Sequence, residues 1–497
     1  MTHPAPRPRP AAQAAEILWR IEKDAAFAAP LLANAAIAAP QGAPSTSVPG
    51  SPVAGGTLRR GASGSDARDA EPGHSGMRQS GSAASASVEG ASADQGRARL
   101  TQLVYGTLRM QVALDALLVP HCRKNLSAMD GLCRNALRVT LYEIVCMAAP
   151  PHAAVGACVA YLKAKRSRPL GGLANAVLRA VLREPPTLSE HVALPAWIEA
   201  RLTASLGQER VHALSYAPMP PKTGIACADA AAADALREAL RAEAEVAVSP
   251  FHPLVLNVRR AGSLDRLAPI QRHQAWVQEE GSQLIAECLP LGQGASVLDA
   301  CAGRGHKTLA LLRRDASLKV SAADCYPEKL ELLLQACARH FPETSVETAA
   351  TDWTRGSGDL AGRTFDLVLV DAPCSGLGTA ARRPELLHRL TPERLAELQA
   401  GQQALLAALA AHVAPGGTLA YCVCSPLREE GAHIAEAFAA QHPHFALRPL
   451  PVPAALAPAV NAAGPFLELG PWLDPAHDGP DAYFLALWTR SSGEGPA

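Results

Sequence analysis

A chain of 497 residues, 48% of them hydrophobic, is long enough for two or three full-sized cores and falls in the globular class. Its 46 basic and 46 acidic side chains balance, which excludes nucleic-acid binding by overall charge; an RNA surface would have to be a local patch such as Lys163, Lys165, Arg166 and Arg168, or Arg382, Arg383 and Arg389, each run otherwise a solvated helix face. The 12 cysteines show no paired CxxC spacing, no apolar run stands behind a basic N-terminus, and no stretch reaches the roughly 18 apolar residues of a membrane span; this predicts a reduced, cytoplasmic protein with no metal site and no membrane partner.

In chain order, apolar residues at helical spacing in AAEILWRIEKDAAFAAPLL predict helix over Pro10 to Leu32, and Leu100 to Arg183 adds at least four more helices. Between them, 41–96 is rich in Ser, Gly and Ala with almost no large apolar side chain to offset chain entropy, which predicts a disordered insertion whose deletion is tolerated. Pro185 and Pro186 end the helical unit, and Leu194 to Gly207 reads as another short helix. Lys222 to Leu267 alternates the short runs GIACA and PLVLNV with the helical AAAADALREALRAE, a small α+β module. From Trp276 a helix leads into ASVLDA, KTLALLRR, KVSAAD, PEKLELLLQACARHF, FDLVLVDAP, RLAELQAGQQALLAALAAHV and TLAYCVCS. That alternation predicts an α/β fold, a doubly wound parallel sheet with helices on both faces and a ligand site at the C-terminal strand ends. The expected organisation is a helical domain over 1–190, the small module over 191–270, the α/β domain over 271–490 and a disordered tail over 491–497.

The strand ASVLDA ends near Asp299 and runs into Cys301, Ala302, Gly303, Arg304, Gly305, His306, Lys307 and Thr308, where two glycines let the backbone turn tightly and approach a nucleotide-like cofactor; a plain turn would look the same. Asp324 ends the next strand about 20 residues on, where a carboxylate can accept from ribose hydroxyls. Asp352 follows a third strand and is read either as an acceptor for the adenine amine or as an acidic turn residue. His306 is read as a solvent-facing residue at a helix start, with a contact to a cofactor carboxylate as the alternative.

A dinucleotide oxidoreductase would share that loop and Asp324, so the discrimination rests on DAPCSG and YCVCS. Asp371 and Cys374 lie just beyond the strand FDLVLV and Cys424 just beyond TLAY, which projects two thiols over one sheet edge, whereas a lone cysteine there would be a small core residue. Carbon 5 of cytosine is too weak a nucleophile to accept a methyl group unless carbon 6 is first attacked, and a thiolate does this near neutral pH when a neighbouring charge favours it. A carboxylate near N3 and N4 would stabilise the electron-rich adduct. Cys422, two residues before Cys424 on the same strand face, is read as packing.

VLDACAGRGHKT, DAPCSGLGTAARRPE and YCVCSPLREEG resemble the signature blocks of the Sun-type (RsmB-like) ribosomal RNA cytosine-C5 methyltransferases. The resemblance implies a Rossmann-like fold, S-adenosyl-L-methionine as cofactor, Cys424 as nucleophile, Cys374 as the thiol that assists product release, Asp371 as the contact to the cytosine amidine edge, and Lys307 near base and cofactor. WVQEEGSQL (Trp276 to Leu284) is similar to the family's opening helix and DAYFLALW (Asp481 to Trp488) to its closing strand. LVYGTLR, LRVTLYEI, PHAAV and LANAVLRAVLRE resemble the NusB-like helical domain of the branch that methylates small-subunit ribosomal RNA, which implies RNA docking by that domain. The chain departs from the family at Arg304 and His306, where Ala-Pro-Gly-Gly-Lys-Thr is usual, and at Asn257 and Arg259, where the order is usually reversed. The leading expectation is a monomeric enzyme acting on ribosomal RNA; a non-catalytic RNA-binding or assembly factor on the same fold, and a small-molecule methyltransferase, are the alternatives.

Overall fold

The computed structural model describes residues 10–24, 26–37, 82–123, 125–184, 193–214, 221–259, 262–461, 465–477 and 479–492. The first part is helical: Pro10–Asp24, Ala28–Ile37, Ser82–Arg109, Gln111–Leu118, Gly131–Cys146, Pro151–Lys165 and Arg168–Val181. Asp130 starts the fifth of these by accepting from the Cys133 amide at 2.9 Å, and the helix it caps buries Leu132, Leu137, Val139, Leu141 and Tyr142, so it forms the central rod. Arg138 on that rod is 4% exposed and is kept charged by a two-toothed bond to Asp115 at 2.7 Å through each nitrogen and by Glu22 at 2.8 Å. The helix beginning at Ser82 corrects the expectation of disorder for part of 41–96: its alanines favour helix and extend the turn structure back from the packed residues Leu100, Leu103 and Val104. The rest of that stretch lies outside the described residues, as does the tail beyond Ser492.

Two further helices, Ala196–Leu206 and Gln208–Ala213, bury Ile198, Leu202 and Val211 in the same core as the seven helices above. That core also takes in Leu377, Leu387, Leu390 and Leu395 from the α/β part of the chain, so the two parts share one apolar contact layer.

The small module is an antiparallel sheet of β1 (Thr223–Cys227), β2 (Glu245–Val248), β3 (Val255–Arg259) and β4 (Ala275–Val277), in the order β2-β3-β1-β4, with the helix Ala230–Leu240 packed on it. Trp276 is therefore in a strand and not in the opening helix expected over Trp276 to Leu284. The helix starts later, at Glu280, because the Glu279 carboxylate accepts from the Ser282 amide at 2.9 Å and so caps it there. Asn257, 7% exposed, donates to Glu280 at 3.1 Å beside the Lys222 ammonium at 2.6 Å, which places it in a buried knot where this sheet meets the next unit.

The large sheet contains β5 (Ser296–Asp299), β6 (Lys319–Asp324), β7 (Val346–Ala350), β8 (Phe365–Asp371), β9 (Val413–Val423), β10 (Phe445–Leu447), β11 (Leu467–Leu469) and β12 (Tyr483–Arg490). Its order is β10-β12-β9-β8-β5-β6-β7, with β11 paired to β12. Strands β5 to β9 run parallel, whereas β10, β11 and β12 pair antiparallel, so the closing strand inserts against the direction of the rest. Two apolar clusters, one on each face, bury alternate residues of the central strands: Val297, Leu367 and Leu369 on one side, Leu298, Val368 and Val370 on the other. From β5 the chain moves outward to β6 and β7, then returns to lay β8 on the opposite side of β5. The crevice between β5 and β8 is therefore the point where strand order reverses, the position at which such sheets bind ligands.

Candidate active site

Beyond β5, Gly303 and Gly305 take φ of +55° and +84°, the left-handed region that side chains other than glycine's enter at a cost. The loop is tied to its neighbours: the Ala300 amide donates to Leu369 O and the Ala302 amide to Ala323 O, both at 2.9 Å. A Cβ on Gly305 would lie 2.6 Å from Leu333 Cγ, so glycine there is also a condition for docking the helix Pro327–His340. Asp324, at the end of β6, accepts from the Gly303 amide at 3.0 Å and the Tyr326 amide at 3.0 Å, which aims its carboxylate at the loop. Asp299 is 1% exposed; its Oδ2 accepts from Thr308 at 2.7 Å and its Oδ1 has no hydrogen-bond partner among the described residues. Burial pushes its carboxyl up to about 7.

Lys307 leaves the first turn of the helix His306–Arg314 and crosses the crevice, donating to Asp371 Oδ2 at 2.6 Å with its ammonium 5.3 Å from the Tyr483 ring. Burial opposes its charge, but Asp371, with Cys422 and Cys424 beside it, more than offsets that and holds the ammonium above the usual lysine range. The second oxygen of Asp371 accepts from Cys422 Sγ at 3.3 Å, its direct neighbour across the β8–β9 pair. Cys422 is thus more than packing: it fixes the carboxylate that Lys307 grips from the other side. Burial, then Asp371, pushes the Cys422 thiol well up, which keeps its proton in place for that bond.

Cys374 and Cys424 lie half-buried with their sulfur atoms 3.4 Å apart. The bond to Cys424, then burial, pushes the Cys374 thiol well above the ordinary thiol range. Behind the pair, a cavity of about 500 Å³ reaches from Cys374 and Ser375 to Glu22 and Phe27 of the helical part.

The structure thus brings together Cys301, Ala302, Gly303, Gly305, Asp324, Lys307, Asp371, Cys374 and Cys424 around one crevice. Arg304 and His306 are exposed at its rim, His306 as the helix-start reading expected. Asp352 sits at the C-terminal end of β7 but turns back on its own loop, accepting from the Thr354 amide at 3.0 Å and hydroxyl at 2.6 Å, the turn reading of that residue. Sequence reading missed Cys422 and Tyr483 as residues of the crevice. The period-2 spacing of Cys422 from Cys424 was a usable signal, whereas the approach of Tyr483 depends on the antiparallel insertion of β12.

The glycine loop over the switch point, the Asp324 carboxylate at the end of β6 and the uncompensated Asp299 oxygen fit a nucleoside cofactor with hydroxyl and ammonium donors, and together with the family match that follows they mark an S-adenosylmethionine-dependent methyltransferase. The family model for 16S rRNA methyltransferase RsmB/F matches residues 286–489, and that of the NusB family matches 74–183. A Mycobacterium tuberculosis protein named only as a methyltransferase is 33% identical over 422 residues, covering 78% of this chain and 88% of that one. Ribosomal RNA small subunit methyltransferase B of Xylella fastidiosa is 30% identical over 352 residues, covering 69% and 82%. The crystal structure of PH0851 shares the fold at a TM-score of 0.65 and 22% identity, covering 79% of this chain and 90% of that one. The chain belongs to the 16S rRNA methyltransferase RsmB/F family, with a NusB-type helical region ahead of its catalytic sheet.

Proposed function

We propose that the protein methylates carbon 5 of a cytosine in small-subunit ribosomal RNA through a covalent cysteine adduct at carbon 6. The observation that carries this reading is the pair of thiols 3.4 Å apart beside an Asp371 carboxylate held by Lys307 at 2.6 Å. Support for the substrate comes from the name of the Xylella fastidiosa relative. Cys301, Ala302, Gly303, Arg304, Gly305, His306 and Asp324 form or border the loop assigned to S-adenosylmethionine, which supplies an electrophilic methyl group when bound, and Asp352 stands on the next strand end as the candidate adenine contact.

The thiolate of Cys424 adds to carbon 6, and the electron pair of the carbon 5–carbon 6 double bond becomes enamine density on carbon 5. Asp371 faces N3 and N4 of the base, and Lys307 holds that carboxylate and offsets charge as the adduct forms. Once carbon 5 carries its methyl group, its proton passes to water in the crevice, the carbon–hydrogen pair re-forms the double bond, and the carbon–sulfur bond breaks to return the Cys424 thiolate. Cys374, in contact with the leaving sulfur, assists that last step. The enzyme works in this reading as a cytoplasmic monomer, with 1–190 as its RNA-docking domain.

Purified protein incubated with labelled S-adenosylmethionine and unmodified small-subunit ribosomal RNA is the direct test. Wild type is expected to form 5-methylcytosine, Cys424→Ala none, and Cys374→Ala a trapped protein–RNA adduct. Absence of transfer by the wild type to this RNA would remove the assignment.

A further inference from the structure

Glu430 lies six residues past Cys424 in an irregular segment, and it is 0% exposed. Its Oε1 accepts from the Ser375 amide at 2.8 Å and from Gln402 Nε2 at 3.1 Å. Its Oε2 accepts from the hydroxyls of Ser375 and Ser425, the latter at 2.6 Å, and its backbone carbonyl accepts from the Tyr421 hydroxyl at 2.6 Å. Gln402 also donates to Pro373 O at 3.0 Å. Ser375 directly follows Cys374 and Ser425 directly follows Cys424, so one buried carboxylate is bonded to the residue after each thiol. All four donors to that carboxylate are neutral. A carboxylate taken out of water without a cation costs several kcal/mol unless hydrogen bonds replace the water, and well-packed apolar groups would hold two loops together without that cost. The arrangement therefore calls for an explanation other than stability.

We infer that Glu430 is a positioning residue for the reaction: by bonding to both thiol-bearing loops it sets the separation and mutual orientation of Cys374 and Cys424. The inference deepens the function proposed above and rests on its assignment of the two thiols. Nothing in the carboxylate touches the crevice where the base would lie; its effect passes through Ser375 and Ser425. Its charge acts in the same direction on chemistry, since Glu430 stands behind the Cys424 bond and burial among the influences that push the Cys374 thiol up and so keep a proton on it.

The test compares Glu430→Ala with Glu430→Gln in the full-length protein, by two readouts. In single-turnover methylation of small-subunit ribosomal RNA, Glu430→Ala is expected to lose about a hundredfold in rate, the effect of roughly 1 Å of misplacement, with the Kd for S-adenosylmethionine unchanged. Glu430→Gln keeps one acceptor oxygen and can donate its amide to the serine hydroxyls, and it is expected to recover most of that rate. Independently of RNA, dibromobimane bridges neighbouring thiols. The Cys374–Cys424 bridge, mapped by peptide mass spectrometry, is expected in wild type and Glu430→Gln and lost in Glu430→Ala. Should Glu430→Ala lack a cooperative thermal transition, the double variant Ser375→Ala with Ser425→Ala removes the hydroxyl half of the network and is expected to show the same pattern. Bridging and methylation at wild-type rates in folded Glu430→Ala would overturn the inference. Bridging that depends on Glu430 in a wild-type protein unable to make 5-methylcytosine would support the positioning and overturn only the substrate assignment.

Discussion

At the scale of single residues, a chain of contacts runs Cys422, Asp371, Lys307 and Tyr483 beside the thiol pair, where the proposed reaction would take place. Removing the cation with Lys307→Met leaves Asp371 without its strongest partner, and kcat for RNA methylation is expected to fall by about 10²–10³. Cys422→Ala deletes one donor to the same carboxylate and is expected to cost about 1 kcal/mol of transition-state stabilisation, roughly fivefold, while Cys422→Ser, which keeps a donor in place, stays near wild type; equal losses in the two variants would return Cys422 to simple packing. Asp299 predicts a pH effect. Its carboxyl, ordinarily near 3.8, is pushed up to about 7 by burial, so between those values the folded state holds a proton that the unfolded state has released. This group's contribution to stability is full below about pH 4 and is lost as pH rises through about 7. Asp299→Asn should therefore flatten the pH dependence of unfolding by denaturant over that window.

At the scale of elements, two joints decide whether the site assembles. The first is the loop after β5 against the helix Pro327–His340. Gly305→Val would add both the left-handed penalty of about 1–2 kcal/mol and a clash with Leu333, and calorimetry is expected to show weaker S-adenosylmethionine binding together with a lower melting temperature. The second is Arg382, which donates to Asp481 at 2.8 Å and to the Lys222 carbonyl while standing 3.7 Å from Glu279, so it joins the small sheet, the opening helix and β12. Arg382→Ala leaves Glu279 and Asp481 facing each other without a cation, and a loss of order 3 kcal/mol in folding stability is expected from denaturant titration. Glu279 is already pushed up to about 7, by burial first and then by Asp481, so this variant is expected to be least stable at alkaline pH.

At the scale of the whole molecule, the helical part is not an appendage. Arg109 donates to Ala381 O at 3.0 Å, His388 meets Leu108 O at 2.9 Å, and Leu377, Leu387 and Leu395 pack in the helical core. A chain starting at residue 191 would expose that apolar layer, and it is expected to aggregate or to lose methyl transfer even with RNA in excess; size-exclusion chromatography and the labelled-cofactor assay separate the two outcomes. Among the described residues no single helix is long and apolar enough to cross a membrane.

The alternation of strands and helices, the glycine loop, Asp324 and the two thiols were legible in the sequence because each depends on local chemistry: hydrophobic period, backbone freedom at glycine, and side chains placed just past apolar strands. The helix from Ser82 was not, since its Ser- and Gly-containing start has no amphipathic stripe, and neither was the strand at Trp276, whose conformation is set by pairing with β1. The sequence by itself therefore determined the class of sheet, the glycine loop and which two thiols stand just past the ends of β8 and β9. Only the tertiary structure decided that Cys422 and Lys307 share Asp371, that Tyr483 closes over the ammonium and that Glu430 binds both thiol loops. Those contacts join residues from strands that become neighbours through a crossover and an antiparallel insertion, and local sequence patterns carry no record of which distant strand end will lie alongside.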